Sequence, residues 1–253
     1  MSTPNLGSDG ESAERVGLHP PESEALNECT RTTASFGLWP FVEVLRRNDL
    51  PLERVCERIE LSAERLRDPG ERFTQAAANR LATLAFERLG DSAAVAAALT
   101  VEAGHFHLLE LITRTAPTVA EGIEACCQFF PLLHDCGKFS CARADDGART
   151  VLWHPPDVCS VHHGYVELTF AVAVLGMCRE TGCETLRPAR VQFTHAAPAE
   201  RMLHEQVLGP NLDFGAHQAA ITFDAETTRV RFKRSNSAVH AAAVRSANDT
   251  LDE

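Results

Sequence analysis

The residues best equipped for chemistry in this chain are histidines and cysteines crowded into one stretch. Between positions 105 and 163 lie His105, His107, Cys126, Cys127, His134, Cys136, Cys141, His154, Cys159, His162 and His163. Imidazole and thiolate are good donors to zinc and haem iron. The spacings, however, match no recognised site: Cys136 and Cys141 are separated by four residues on an expected strand, and there is neither a paired CxxC nor an HxxxH on a helix. His105 and His107 are the most ligand-like pair, since a strand places alternate residues on one face. The competing reading is of core and surface histidines with buried, reduced thiols, and on it no metal or cofactor is expected. For nucleophilic chemistry, Cys136 or Cys159 beside a histidine would need a helix N-terminus or a cation to lower the thiol pKa. Neither position has a motif that supplies one, and the chain has no G-x-S-x-G, P-loop or G-x-G-x-x-G sequence.

A binding pocket asks for an apolar lining with a few polar groups. Phe129, Phe130, Trp153, His154 and Tyr165 are the candidates, because an expected hairpin and two long helices bring their segments together; each aromatic taken singly also reads as core. The stretch LPLERVCERIELSAERLRDPG has the cadence of a helix-turn-helix, with Arg54, Arg58, Arg65 and Arg67 as phosphate contacts. Glu53, Glu57, Glu60 and Glu64 dilute that face, and two consecutive amphipathic helices give the same pattern. The structural reading is therefore preferred and no DNA-contacting residue is expected.

These residues must be held by an ordinary globular chain of 253 residues, 44% hydrophobic and 23% charged. The net charge of −11 would be repelled by nucleic-acid phosphates unless the basic residues were gathered on one face. No run of 18 apolar residues exists, so no membrane span is expected. The acidic N-terminus has no signal-peptide h-region, which points to the cytoplasm, where nine cysteines stay reduced.

Residues 1–34 are rich in Ser, Glu, Gly and Pro and are expected to be disordered. Order should begin near Phe36, with Pro40 in the first turn of a helix to Arg47 and a second short helix after Pro51. Ala77, Leu81, Leu84 and Ala85 form a helical stripe that Gly90 should end. The run from His105 to Thr113 is short and apolar, and is expected to be a buried strand. Thr118 and Glu121 have capping-box spacing, and Val119, Ile123, Cys126, Cys127 and Phe130 make a helical stripe. Period-two alternation through Phe139 and Cys141, then Val151 and Trp153, around Asp145–Gly147 predicts a hairpin. A long helix carrying Val161, Tyr165, Leu168, Val172 and Leu175 follows. Then come a strand at Val191 and Phe193, a short helix over 200–208, and a strand at Ala219, Ile221 and Phe223. The class is α+β: a mixed sheet of about five strands packed with helices, after a helical N-terminal segment.

Three stretches, in order, resemble the arabinose-binding-like N-terminal domain of AraC-type transcription regulators. They are residues 89–135 (LGDSAAVAAALTVEAGHFHLLELITRTAPTVAEGIEACCQFFPLLHD), the hairpin and helix between Lys138 and Gly182, and RPARVQFTHAAPAERMLHEQVLGPNLDFGAHQAAITFDAE. Their pieces are similar to the family's "PT(L/V)xEA" helix start, its "V.F.H..P" strand and its "lG..v.F.a" segment. Together they cover about residues 36–232.

The resemblance implies an effector-binding domain over 35–232, binding a small molecule and often forming a homodimer, that normally precedes two helix-turn-helix units. Residues 233–253 are too short for those units and read as a tail. The expectation is thus a ligand-sensing and dimerising domain without its DNA-binding half, acting through a partner such as a full-length regulator. The alternative from another class is a metal- or haem-dependent sensor or small enzyme using region 105–163.

Overall fold

The computed structural model describes residues 30–157 and 159–252. Most of the expected disordered segment therefore lies outside the described residues. Its end does not behave as expected: β1 (Thr32–Ala34) is a strand. Thr32 donates from its backbone N–H to Asp135 Oδ1 at 2.5 Å.

Helix α1 (Ser35–Arg47) begins five residues before Pro40, which sits inside it. A proline has no N–H for the carbonyl four residues earlier. That carbonyl belongs to Phe36, and His105 Nε2 donates to it instead at 2.8 Å. Next come α2 (Leu52–Ile59) and α3 (Ala63–Arg67). They turn Leu52, Val55, Cys56, Ile59 and Leu66 into the core. Strand β2 (Arg72–Thr74) pairs antiparallel with β1. Thr74 then caps α4 (Gln75–Leu89), its hydroxyl accepting from Ala77 N–H at 3.3 Å, and Gly90 ends the helix at φ +72°. The short α5 (Ala93–Ala98) is almost wholly buried.

The run expected to be a strand is a helix, α6 (His107–Thr115). Nine residues with an apolar majority fit either element. Here Leu109 and Ile112, three apart, face the core, and the Thr113 and Thr115 hydroxyls donate to the Leu109 and Leu111 carbonyls at 2.8 and 2.7 Å. His105 and His107 therefore share no strand face. Helix α7 (Val119–Phe129) follows as expected. Its Thr118 hydroxyl bonds the Glu121 carboxylate rather than a backbone N–H.

The hairpin also forms as expected, with β3 (Lys138–Arg143) and β4 (Arg149–His154) pairing Phe139 with Trp153 and Cys141 with Val151. Gly137, at φ +89°, leads into it; an added Cβ would meet the Trp153 ring at 2.3 Å. Glu124 of α7 clamps the hairpin, lying 2.7 Å from Arg143 and 2.8 Å from Arg149. Helix α8 (Gly164–Thr181) is followed by β5 (Arg190–Gln192), α9 (Met202–Leu208), β6 (Leu212–Asp213) and β7 (Ala220–Phe223). Val161 lies just before α8 rather than on it. The five strands form one mixed sheet in the order β3-β4-β7-β5-β6, parallel only between β5 and β6. The architecture is α+β, as the sequence predicts.

After the short α10 (Ala225–Thr228), the segment read as a tail contains a helix, α11 (Ser237–Asp252). It docks on α6: Ala243 and Ala247 are buried, Asn236 N–H donates to Thr115 O at 3.0 Å, and His240 Nδ1 meets Ile112 O at 3.0 Å. Small alanines let the two backbones approach. A charge at the fully buried Ala247 should therefore be costly. We expect Ala247→Glu to lower the unfolding free energy by at least about 2 kcal/mol. The exposed neighbour substitution Ala241→Glu should cost less than about 0.5 kcal/mol. Urea melts of the two variants give the comparison, and equal midpoints would show that α11 does not dock.

Candidate functional site

Between the sheet and helices α6, α7 and α8 the layers do not close completely. A cavity of about 170 Å³ remains, enough for a compact molecule somewhat larger than benzene. The sheet contributes Phe139, Val151, Trp153, Ile221 and Phe223 to its wall, α7 contributes Ile123, Cys126 and Cys127, and α8 contributes one flank from Tyr165 to Glu180. Gly176 of α8 opens directly onto it, for an added Cβ there would meet nothing within 4 Å.

The lining has few polar groups, and most are already paired. His134 Nδ1 is 2.8 Å from Thr33 Oγ1, and the Thr113 and Thr169 hydroxyls donate to carbonyls of their own helices. Arg179 lies 3.6 Å from Glu110 and 3.4 Å from Glu180, with Arg114 4.0 Å from Glu110. These charges balance one another. Burial pushes the Cys126 thiol up to about 11 and raises Cys127 further, which disfavours the nucleophilic thiolate near neutral pH.

A second polar cluster lies at the start of α8. Glu167 is fully buried, with Oε1 2.7 Å from His195 Nε2 and Oε2 3.5 Å from His204 Nε2. The His163 and His195 rings are 4.4 Å apart between centroids. Burial alone would raise the Glu167 carboxyl, but the two imidazoles outweigh it and hold the pKa below the usual value. Burial lowers His195, yet Glu167 more than reverses this and leaves it raised. His163 is lowered by burial and by His195.

The comparisons with known proteins bear on this arrangement. Residues 50–246 match the family model described as the arabinose-binding domain of AraC transcription regulators, N-terminal. The chain belongs to that family. The fold is similar to that in the crystal structure of the transcriptional regulator CdpR from Pseudomonas aeruginosa, at a TM-score of 0.57 and 15% identity. The match covers 85% of this chain and 64% of that one, so the chain spans just under two thirds of that regulator's length. No curated protein is similar enough in sequence to count as a relative.

Within this AraC-type domain, the structure brings together Phe130, Trp153 and Tyr165, all of which line the cavity. The Tyr165 hydroxyl is already committed, donating to Ala78 O at 2.9 Å, so it is not free to bond a ligand. Phe129 is buried in the core elsewhere. His154 follows Trp153 on a strand and so faces the other side of the sheet, where Nε2 is 2.7 Å from Ser140 Oγ. His105 is bonded to α1, and His107 packs its ring edge-on to Phe36 at 5.2 Å. In the segment with helix-turn-helix cadence, Arg54 pairs with Glu57 at 2.8 Å and Arg65 with Glu71 at 2.6 Å. Sequence reasoning missed Glu167, His195 and His204. The readable signal was His163 and Glu167, four apart at a helix start.

Burial lowers His134 to about 4, with Asp135 raising it slightly and Arg72 opposing. An unfolded histidine titrates near 6.5. Between these values the unfolded chain binds the extra proton, so stability falls as pH drops from about 6.5 towards 4. The loss from this residue should reach about 2 kcal/mol at pH 5. His162, also lowered to about 4 by burial, acts in the same direction. Thermal melts at pH 7 and pH 5 should show the drop, and His134→Gln should shrink it; a pH-independent midpoint would contradict the burial of both rings.

Proposed function

We propose that this chain senses a small, mainly apolar effector held in the cavity between the sheet and α6, α7 and α8, and that its occupancy regulates transcription. The apolar hollow carries this reading. It is walled by Trp153, Tyr165, Phe130 and Phe139, with few polar groups, most of them already paired. Family membership supports an effector-binding role rather than catalysis. The balanced charges of Glu110, Arg114, Arg179 and Glu180 favour an uncharged or amphipathic molecule, since a lone anion or cation would disturb pairs already made. The aromatic faces favour a planar or branched hydrocarbon body over a sugar, whose hydroxyls would go unpaired there. Transmission to a promoter would run through a DNA-binding module or a partner regulator, because a ligand shifts a conformational equilibrium only by binding its states unequally.

A thermal-shift screen of small aromatic, aliphatic and sugar metabolites tests the reading. A ligand at about 100 times its Kd should raise the melting temperature by about 5–10 °C. Trp153 fluorescence should change on binding. Gly176→Leu should fill the hollow, keep or raise the melting temperature of the unliganded protein, and abolish the ligand's shift. A ligand that stabilises this variant as well as the parent binds elsewhere, and the cavity assignment falls.

A further inference from the structure

The cluster at the start of α8 has no part in the effector cavity, and its geometry is unusual for a plain ion pair. His195 Nδ1 is 2.9 Å from the Ala196 carbonyl, which can only accept, so that nitrogen carries a proton. Its other nitrogen, Nε2, lies 2.7 Å from Glu167 Oε1, yet the contact lacks hydrogen-bond direction. Glu167 Oε2 and both nitrogens of the fully buried His204 are likewise without a hydrogen bond among the described residues. Buried polar atoms in this number are rarely left unsatisfied. What the cluster has in common is lone pairs contributed from three elements of the fold, one from each imidazole and the rest from the carboxylate.

We propose that His163, Glu167 and His195 form a binding site for a divalent transition cation, zinc fitting best, with His204 as the nearest further donor. One donor atom from each of the three lies within 4.8 Å of the others, and the tightest pair is at 2.7 Å. Those separations bracket the edge of about 3.4 Å expected of a tetrahedral zinc with Zn–N bonds of about 2.0–2.1 Å. Two imidazoles and one carboxylate are a donor set zinc accepts readily. His163 and Glu167, four apart, present from one face of a helix start, while His195 arrives from the loop after β5. The Ala196 carbonyl on His195 Nδ1 is the outer-shell partner that fixes a ligating imidazole's tautomer. His163 is half-buried, so an ion has a route in from solvent. Asp91, which accepts from Ala199 N–H at 3.3 Å, adds negative charge beside the cluster. A bound ion would tie α8, the β5 loop and, through His204, α9 into one unit.

The full chain, stripped with a chelator, should take up one equivalent of zinc chloride in calorimetry and melt at a higher temperature with it. Cobalt(II) should give the visible absorption of a tetrahedral site without a near-ultraviolet thiolate charge-transfer band, which separates this site from the cysteines. His163→Ala, at the accessible edge, should keep its circular dichroism and weaken zinc at least about 10-fold. Glu167→Gln should weaken it further. No saturable uptake would overturn the site in favour of a protonated His195 paired with Glu167. A thiolate band, or affinity unchanged in a folded His163→Ala, would also overturn it.

Discussion

The fold depends on one constraint: the first turns of α8 are buried on every side. Tyr165, Val166, Leu168, Phe170, Ala171, Val174 and Met177 are all buried, as is the charged Glu167. A helix buried all round must find a partner on every side. Helix α5 covers one side, and the sheet meets another through Phe170, whose ring lies 6.0 Å from Phe139 and 5.8 Å from Phe193. The polar groups have to be met as well, and Tyr165 reaches back to the Ala78 carbonyl on α4 for that reason. Both candidate sites are places where this enclosure is incomplete. Opposite Gly176 there is too little side chain to fill the space, and around Glu167 there is more charge than the neighbours' hydrogen bonds absorb.

Much of the architecture was legible from periodicity. The alternation through Phe139, Val151 and Trp153 gave the hairpin, and the stripe from Val119 to Phe130 gave α7, because both elements bury one face only. Where an apolar run is short the period is ambiguous. The stretch over 105–113 reads equally as a strand or a helix, and tertiary packing of Leu109 and Ile112 decides for the helix. The helix over 237–252 was invisible for another reason: its buried residues are alanines, which carry little apolar signal yet are what close packing on α6 requires.

The candidate site was legible in part. Phe130, Trp153 and Tyr165 line the cavity, and the placement of His154 on the opposite face follows from its standing next to Trp153 in a strand. The Glu167 cluster was harder. His195 and His204 lie far from α8 in sequence and are joined to it by the β5 connection. A search for paired histidines on a helix also passes over a histidine followed four residues later by a glutamate. Among the many histidines the sequence singled out His105 and His107, but these serve the backbone at Pro40 and the packing around Phe36.

Helix α6 is a wall with two tenants. One surface, through Leu109 and Thr113, bounds the cavity, and the other seats α11 through Thr115 and Ile112. Whatever swells the hollow enough to tilt that wall must also shift the footing of the C-terminal helix, about one helix diameter away. Cavity and C-terminal helix thus share one rigid element, and a displacement of either would be felt by the other.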